Sequence, residues 1–383
     1  MTPLEWVLWG SVAFVLLTYA GYPAAVLILA RLLGRPPRPD PEHRPRVSVC
    51  VACHNEAERI SAKLDDLATQ DYPGELLEIL VAMDGCTDGT AALVAERAES
   101  EPRIRGLDLA RGGKPSALNA AVDAASGEVL VFMDARQRVN ERAVSALVAI
   151  LGDPAVGGAS GELVQAGAEA GAASEGVGLY WRYERAIRAA EARLHSTVGT
   201  TGALWALEAP LWRPLPADTI LDDVVAPMEA VLAGKRVVLE PGAVATDRVS
   251  DTVAGEFSRK TRTLSGNYQA LARDLRLWLP WRNPVWLQML CHKVARLGVP
   301  WALLAILATS VALAPGHPLY TALLAAQGLF YAAALLGLAL RGRGAGLAGR
   351  LVNVPYVFCA LNLAAVVGGL RWLTGAQAIT WRA

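Results

Sequence analysis

From Trp6 to Ala30 the chain carries no charged residue. About 20 apolar residues suffice to cross the hydrocarbon core of a bilayer as a helix. The run has no basic segment before it and is too long for the apolar core of a signal peptide, so it reads as a retained anchor. Three more candidate spans follow near 295–314, 319–340 and 351–370. One such segment alone fits a buried core helix, but four point to a membrane protein. The hydrophobic content of 53% and mean hydropathy of +0.31 are concentrated in these runs. Lys+Arg and Asp+Glu both total 36, so no charge excess points to nucleic acid.

Loop charge orients the spans, because excess Lys and Arg stay in the cytoplasm. Arg31, Arg35 and Arg38 follow the first span, Arg341, Arg343 and Arg350 fill the loop between the last two, and the loop at 314–318 has neither residue type. With the N-terminus outside, both basic loops and the long polar middle are cytoplasmic. Arg371 and Arg382 run against an outside C-terminus. The predicted divisions are an anchor at 1–38, a globular domain at 39–250, membrane-interface helices at 251–294 and terminal spans at 295–383. Trp278, Trp281 and Trp286 beside arginines fit a headgroup belt.

Between about 46 and 250 strands and helices alternate. "RVSVCVAC", "LLEILVAM", "RIRGLDLA" and "GEVLVFM" read as strands, with helices after the first and at about 89–100 and 114–125. Such alternation predicts an α/β domain with a mostly parallel sheet covered on both faces. Asn55 and Glu58 have capping-box spacing for the first helix, and the Ala/Gly-rich 166–178 reads as a loop. Cys50 and Cys53 lie inside a strand, where positions three apart face opposite ways, so they read as buried side chains rather than a redox pair. "HNEAER" after the first strand is no dinucleotide fingerprint, and "RGGKPSALN" is no phosphate-binding P-loop.

Polar residues recur where these strands end: Asn55 and Glu56, Asp84, Lys114 and Asp134. In an open α/β sheet those ends converge on one crevice. Each alone is also explained by turn and cap chemistry, which accounts for Asp88 and Asp153. Asp222 either caps the following helix or raises the pKa of Asp223 beside it, and the cap is the preferred reading.

The segments "VACHNEAE", "VAMDGCTDGT", "GGKPSALNAA", "VFMDAR", "TTGALWALEAPLW", "ILDDVVAPMEAVLAGKRVVLEP" and "SRKTRTLSGN" occur in the order seen in family 2 inverting glycosyltransferases. Over about 46–280 the chain resembles the membrane-embedded branch that contains cellulose, hyaluronan and poly-N-acetylglucosamine synthases. The resemblance implies a GT-A fold and a bacterial inner-membrane, multi-pass protein with its catalytic domain in the cytoplasm. It implies a nucleotide-sugar donor, usually a UDP-sugar, and a lipid-linked or glycan acceptor. Membrane lipid and proteins of a polysaccharide assembly system are its implied partners. Glu56 and Asp84 match positions that hold the nucleoside, and Lys114 one near the diphosphate. Asp134 matches the first acid of D-x-D, which works with Mg²⁺ or Mn²⁺. Asp223 matches the catalytic base, and Thr201 and Gly202 fall in the acceptor region. Arg259 and Arg262 match the Q/R-x-x-R-W element that closes over donor and acceptor.

The chemistry asks for these residue types. Glycosyl transfer passes through an oxocarbenium-like transition state. One carboxylate takes the acceptor's proton, a role worth ~10²–10⁴-fold. The leaving diphosphate needs a metal or guanidinium groups.

Two departures stand out. Arg136 occupies the second acid of D-x-D. Either Asp134 alone, with phosphate oxygens and water, holds the metal, or positive charge takes over part of its role; Arg136 could equally face solvent or pair with Glu141. Thr263 replaces the tryptophan that seats the acceptor in polymerising members, which argues against processive extension. A non-catalytic nucleotide-sugar-binding subunit of a synthesis complex is the alternative these departures favour, whereas the retained Asp84, Asp134 and Asp223 favour an enzyme. A transporter would need polar residues in the spans, where Asn353 and Asn362 are the visible candidates.

Overall fold

The computed structural model describes residues 1–166, 172–248, 253–340 and 346–377. The four strands read from the sequence are β1 (Val47–Cys53), β2 (Leu77–Asp84), β3 (Ile104–Leu109) and β4 (Val129–Asp134). Their Val, Ile and Leu runs are buried on both faces in β1 and β4, as a helix-covered parallel sheet requires. Four further strands complete the sheet: β5 (Arg138–Val139), β6 (Val156–Ala166), β7 (Leu204–Glu208) and β8 (Arg236–Arg248). The order is β3-β2-β1-β4-β7-β6-β8-β5.

One reversal in this order builds the site. β4 pairs parallel to β1, but β7 runs antiparallel to β4, with Met133 opposite Leu204. The carboxyl end of β4 therefore meets the amino end of β7. Asp134 and the loop Thr200–Gly202 become neighbours because of that pairing. Phe132 stacks on Trp205 across it, with ring centroids 4.1 Å apart, and this fixes the register from below.

Two local readings change. The helix after β1 spans Ile60–Ala68, and its first residue is preceded by Arg59 without a side-chain cap. Asn55 is not that cap: it sits at φ 52° and accepts the Thr87 backbone N–H at 2.8 Å, tying the β1 and β2 loops together. Residues 172–178, expected in a loop, begin the helix Ala172–Leu194; the rest of that expectation at 167–171 lies outside the described residues. Asp88 does perform cap chemistry, accepting from the Thr90 backbone at 3.0 Å.

Among the described residues, four helices are long and apolar enough to cross a membrane: Pro3–Leu33, Trp286–Gly316, Pro318–Ala339 and Leu351–Leu373. Arg341 and Arg343 of the basic loop lie outside the described residues. The helix Val253–Arg273 lies between the sheet domain and the spans. The Gln269 carboxamide of this helix accepts the Ile220 N–H at 2.9 Å and donates to the Asp218 carbonyl at 2.8 Å. It is thereby clamped to the loop that introduces Asp222 and Asp223.

Candidate active site

Asp84 ends β2 and is 1% exposed. Its carboxylate accepts the backbone N–H groups of Gly112 at 2.6 Å and Gly113 at 3.0 Å. Gly113 has φ 87°, in the left-handed region that an L side chain enters only with strain. That turn launches the helix Lys114–Asp123 and aims Lys114 across the crevice. Asp84 thus holds a turn, and the turn positions the lysine.

The Lys114 ammonium lies 2.8 Å from Asp134 and 3.0 Å from Asp222. Burial pushes its pKa down, yet Asp134 and Asp222 outweigh burial and hold it above the ordinary lysine value. Asp222 opens the helix Asp222–Leu232 but caps nothing; its carboxylate belongs to this bridge. The sequence preference for an acid at a helix start concealed a tertiary role.

Asp223 follows directly. The Thr200 N–H and hydroxyl both donate to its backbone carbonyl, at 2.7 and 3.1 Å. A Cβ on Gly202 would come within 3.1 Å of its Oδ2, so glycine there keeps the carboxylate face clear. The Asp223 pKa is pushed up to about 6, first by burial and then by Asp222, with Lys114 and Lys293 opposing and Asp134 adding. A carboxylate so tuned suits proton transfer near neutral pH. Thr201 and Gly202 accordingly stand against Asp223, and Thr201 is held by its N–H donating to Ser160 Oγ at 3.0 Å.

Glu56, Arg262 and Arg259 are each held by contacts of their own. Glu56 leaves β1 with its N–H donating to Thr90 Oγ1 at 2.9 Å and its carboxylate 2.9 Å from Arg59. Arg262 lies on the helix Val253–Arg273 and donates to the Ile220 carbonyl at 3.1 Å, two residues before Asp222. Arg259 is one turn earlier, its carbonyl accepting the Thr263 hydroxyl at 3.1 Å.

Arg136 pairs neither with Glu141 nor with solvent alone. Its Nη2 lies 2.5 Å from Asp247 on β8, an acid that Gln137 also reaches at 3.2 Å. Its guanidinium is turned to the neighbouring strand. Lys63, which sequence reading passed over, is fully buried with no hydrogen-bond partner for its ammonium among the described residues. Burial pushes it down to about 8, with Asp66 and Asp134 opposing. Its isolation inside an otherwise amphipathic helix gave no pattern to find.

No group of three His, Cys, Asp or Glu side chains suited to a metal occurs among the described residues. Asp134 supplies one hard carboxylate oxygen set at the crevice. That fits Mg²⁺ or Mn²⁺ completed by phosphate oxygens and water, and does not fit an ion held by protein alone.

The Glycosyl transferase family 2 model matches residues 48–205, which hold β1 to β4 and end inside β7. An N-acetylglucosaminyltransferase of Neorhizobium galegae is 29% identical over 299 residues, 73% of this chain and 68% of that one. Another, from Bradyrhizobium elkanii, is 34% identical over 122 residues, 31% of this chain and 67% of its own length. Among solved structures, the mannosyltransferase PcManGT from Pyrobaculum calidifontis, in complex with GDP-Man and Mn²⁺, superposes with a TM-score of 0.74 and 26% identity. That match covers 98% of this chain and 100% of the other, terminal spans included. Sheet, crevice and relatives agree: the chain belongs to glycosyltransferase family 2.

Proposed function

We propose that the protein transfers a sugar from a nucleotide-sugar, read as a UDP-sugar, with inversion, to a lipid-linked or polysaccharide acceptor at the cytoplasmic face of a bacterial inner membrane. The observation that carries this reading is the line of charges Asp134–Lys114–Asp222, with Asp223 beside it under the open face of Gly202. The relatives' names point to N-acetylglucosamine as the sugar transferred, while the structural neighbour holds the nucleotide-sugar GDP-Man.

Asp223 takes the proton of the acceptor hydroxyl. The new bond forms between the acceptor oxygen and the sugar's anomeric carbon. The bond from that carbon to the phosphate oxygen breaks, its electron pair leaving with the nucleoside diphosphate. Lys114, held charged by its two carboxylates, faces that growing negative charge, and Arg259 and Arg262 close over it from the interface helix. A divalent metal on Asp134 would neutralise the leaving diphosphate. Asp84 keeps the Gly112–Gly113 turn, and so Lys114, in place, while Glu56 stands at the nucleoside end.

Purified protein given a panel of UDP- and GDP-sugars should release nucleoside diphosphate from one of them faster than the Asp223→Asn variant does. Binding without release by either protein would favour the non-catalytic subunit. Orientation is checked separately. A reporter active only in the periplasm should work when fused within 314–318 and fail within 342–349; the reverse would put the crevice outside the cell, away from its donors.

A further inference from the structure

Behind Asp223, on the side of the spans, lies a second group of charges that the transfer step leaves unused. Most are matched. Arg296 lies 2.5 Å from Glu184, and His292 bridges Glu184 at 3.1 Å and Glu191 at 2.8 Å. Tyr22 of the first span donates to Glu191. Glu162 is bound by Arg185 at 2.5 Å.

Two cations in this group are not matched. Arg188 donates to Ser160 Oγ at 2.9 Å, and no carboxylate lies within ion-pair distance of it among the described residues. Lys293 has neither a hydrogen bond nor an ion pair there. Both interact electrostatically with Asp223, and Arg188 with Lys293. Cations drawn into a protein interior are costly unless paired or bound. Ser160 Oγ also receives the Thr201 N–H, so Arg188 is tied by two hydrogen bonds to the loop that lies against the base. Both residues are partly exposed.

Their placement selects the ligand. Lys114 and Asp134 mark the donor edge of the crevice. Arg188, on the helix Ala172–Leu194, reaches the Thr200–Gly202 loop through Ser160, and Lys293 stands in the π-turn Met289–Val294 near the start of a span. At 1.5 Å per residue it lies roughly 10 Å along the axis from Trp286, near interface depth. We propose that Arg188 and Lys293 form a phosphate site that holds the anionic head of a lipid-linked acceptor beside Asp223. This rests on the reading of Asp223 as the base, and it narrows the acceptor class from lipid or polysaccharide to a lipid carrying phosphate.

The test uses the full-length protein in detergent with farnesyl diphosphate as the anionic probe, farnesol as its neutral isostere, and UDP and inorganic phosphate as separate arms. Arg188→Gln combined with Lys293→Gln should weaken farnesyl diphosphate binding by about 10²-fold, as expected for two charge-assisted hydrogen bonds. UDP affinity should stay within about twofold, farnesol should not compete, and Arg188→Lys with Lys293→Arg should restore most of the loss. Unchanged farnesyl diphosphate binding in the double variant would overturn the proposal. An equal loss of UDP affinity would overturn it too, by assigning the cations to the donor, as would inorganic phosphate binding as tightly as farnesyl diphosphate. Asp223→Asn run in parallel separates the two readings: if it transfers normally the base assignment fails, whereas the binding arms report on the phosphate site alone.

Discussion

The two sides of Asp223 carry opposite charge imbalances. On the donor side Asp134 and Asp222, with Asp223 adjoining, have Lys114 as their ion-pair partner, and the buried Lys63 acts on Asp134 without pairing with it. On the membrane side Glu184 and Glu191 are matched by Arg296 and His292, and Arg188 and Lys293 remain over. A shortage of positive charge suits a ligand that arrives with a cation, as a metal-bound diphosphate does. A surplus suits a ligand that arrives as a bare anion. Asp223, the proposed base, stands where the imbalances meet, and its raised pKa follows from burial and then from crowding on the donor side, tempered by Lys114 and Lys293.

The contrast can be broken most severely in the matched part of the membrane side. Glu184→Gln should strip Arg296 and His292 of their shared carboxylate and cost about 3–5 kcal/mol, the usual effect of leaving one partner of a buried pair. A thermal melt in detergent reads this directly; a midpoint within one degree of wild type would mean that the network contributes no stability. Asp223→Asn attacks the junction itself and should lower transfer by ~10²–10⁴-fold with UDP binding nearly intact. Retention of a tenth of the wild-type rate would remove Asp223 from the mechanism.

On the donor side, Arg136→Asp places a second carboxylate near Asp134 and removes the guanidinium from Asp247. Donor-free Mn²⁺ affinity should rise by about tenfold, with turnover at saturating metal undiminished, because the added acid is a further hard ligand. Unchanged Mn²⁺ binding together with a fall in turnover would instead make Arg136 part of the leaving-group stabilisation. Calorimetry with and without UDP distinguishes these.

The smallest effect is the pH response. The Asp223 carboxyl is raised from 3.8 to about 6 in the folded protein. As a base it must be ionised, so kcat/KM should fall as pH drops through about 6. The folded state binds the proton more tightly than the unfolded one, so stability should decline as pH rises from about 4 to about 6. Asp223→Asn should remove that slope, and a slope identical in the variant would place the titration elsewhere.

Much of this was legible in the chain, for reasons that differ by region. β1, β2 and β4 announce themselves because buried parallel strands are continuous apolar runs, while β3, a largely exposed edge strand, was legible only from its place in the alternation. β6 hides because Gly157, Gly158 and Gly161 dilute its pattern. That Asp134 and Lys114 would meet was legible because strand ends converge by topology, whereas Asp223 entered only through the family resemblance. Asp222 was misjudged because an acid at a helix start looks the same whether it caps the helix or reaches Lys114, more than a hundred residues away. Arg136 was open in sequence for the same reason, since Asp247 is equally remote. Arg188 and Lys293 acquire meaning only through what they lack, and a missing partner leaves no mark in a sequence.

The reversal at β7 has a consequence for how such a protein can change. It gives the two walls of the crevice to different stretches of chain: β1 to β4 and their loops make one, while the stretch from β6 to Asp223 and the spans make the other. Substitutions in one wall are then nearly independent of those in the other, and their effects should add as they do for distant sites. Lys114 and Asp222 span the divide, and there additivity should fail. A lineage could exchange one acceptor for another by altering the second wall while the wall that grips the nucleotide stayed as it was. The salt bridge between them is the point where such drift would first be felt.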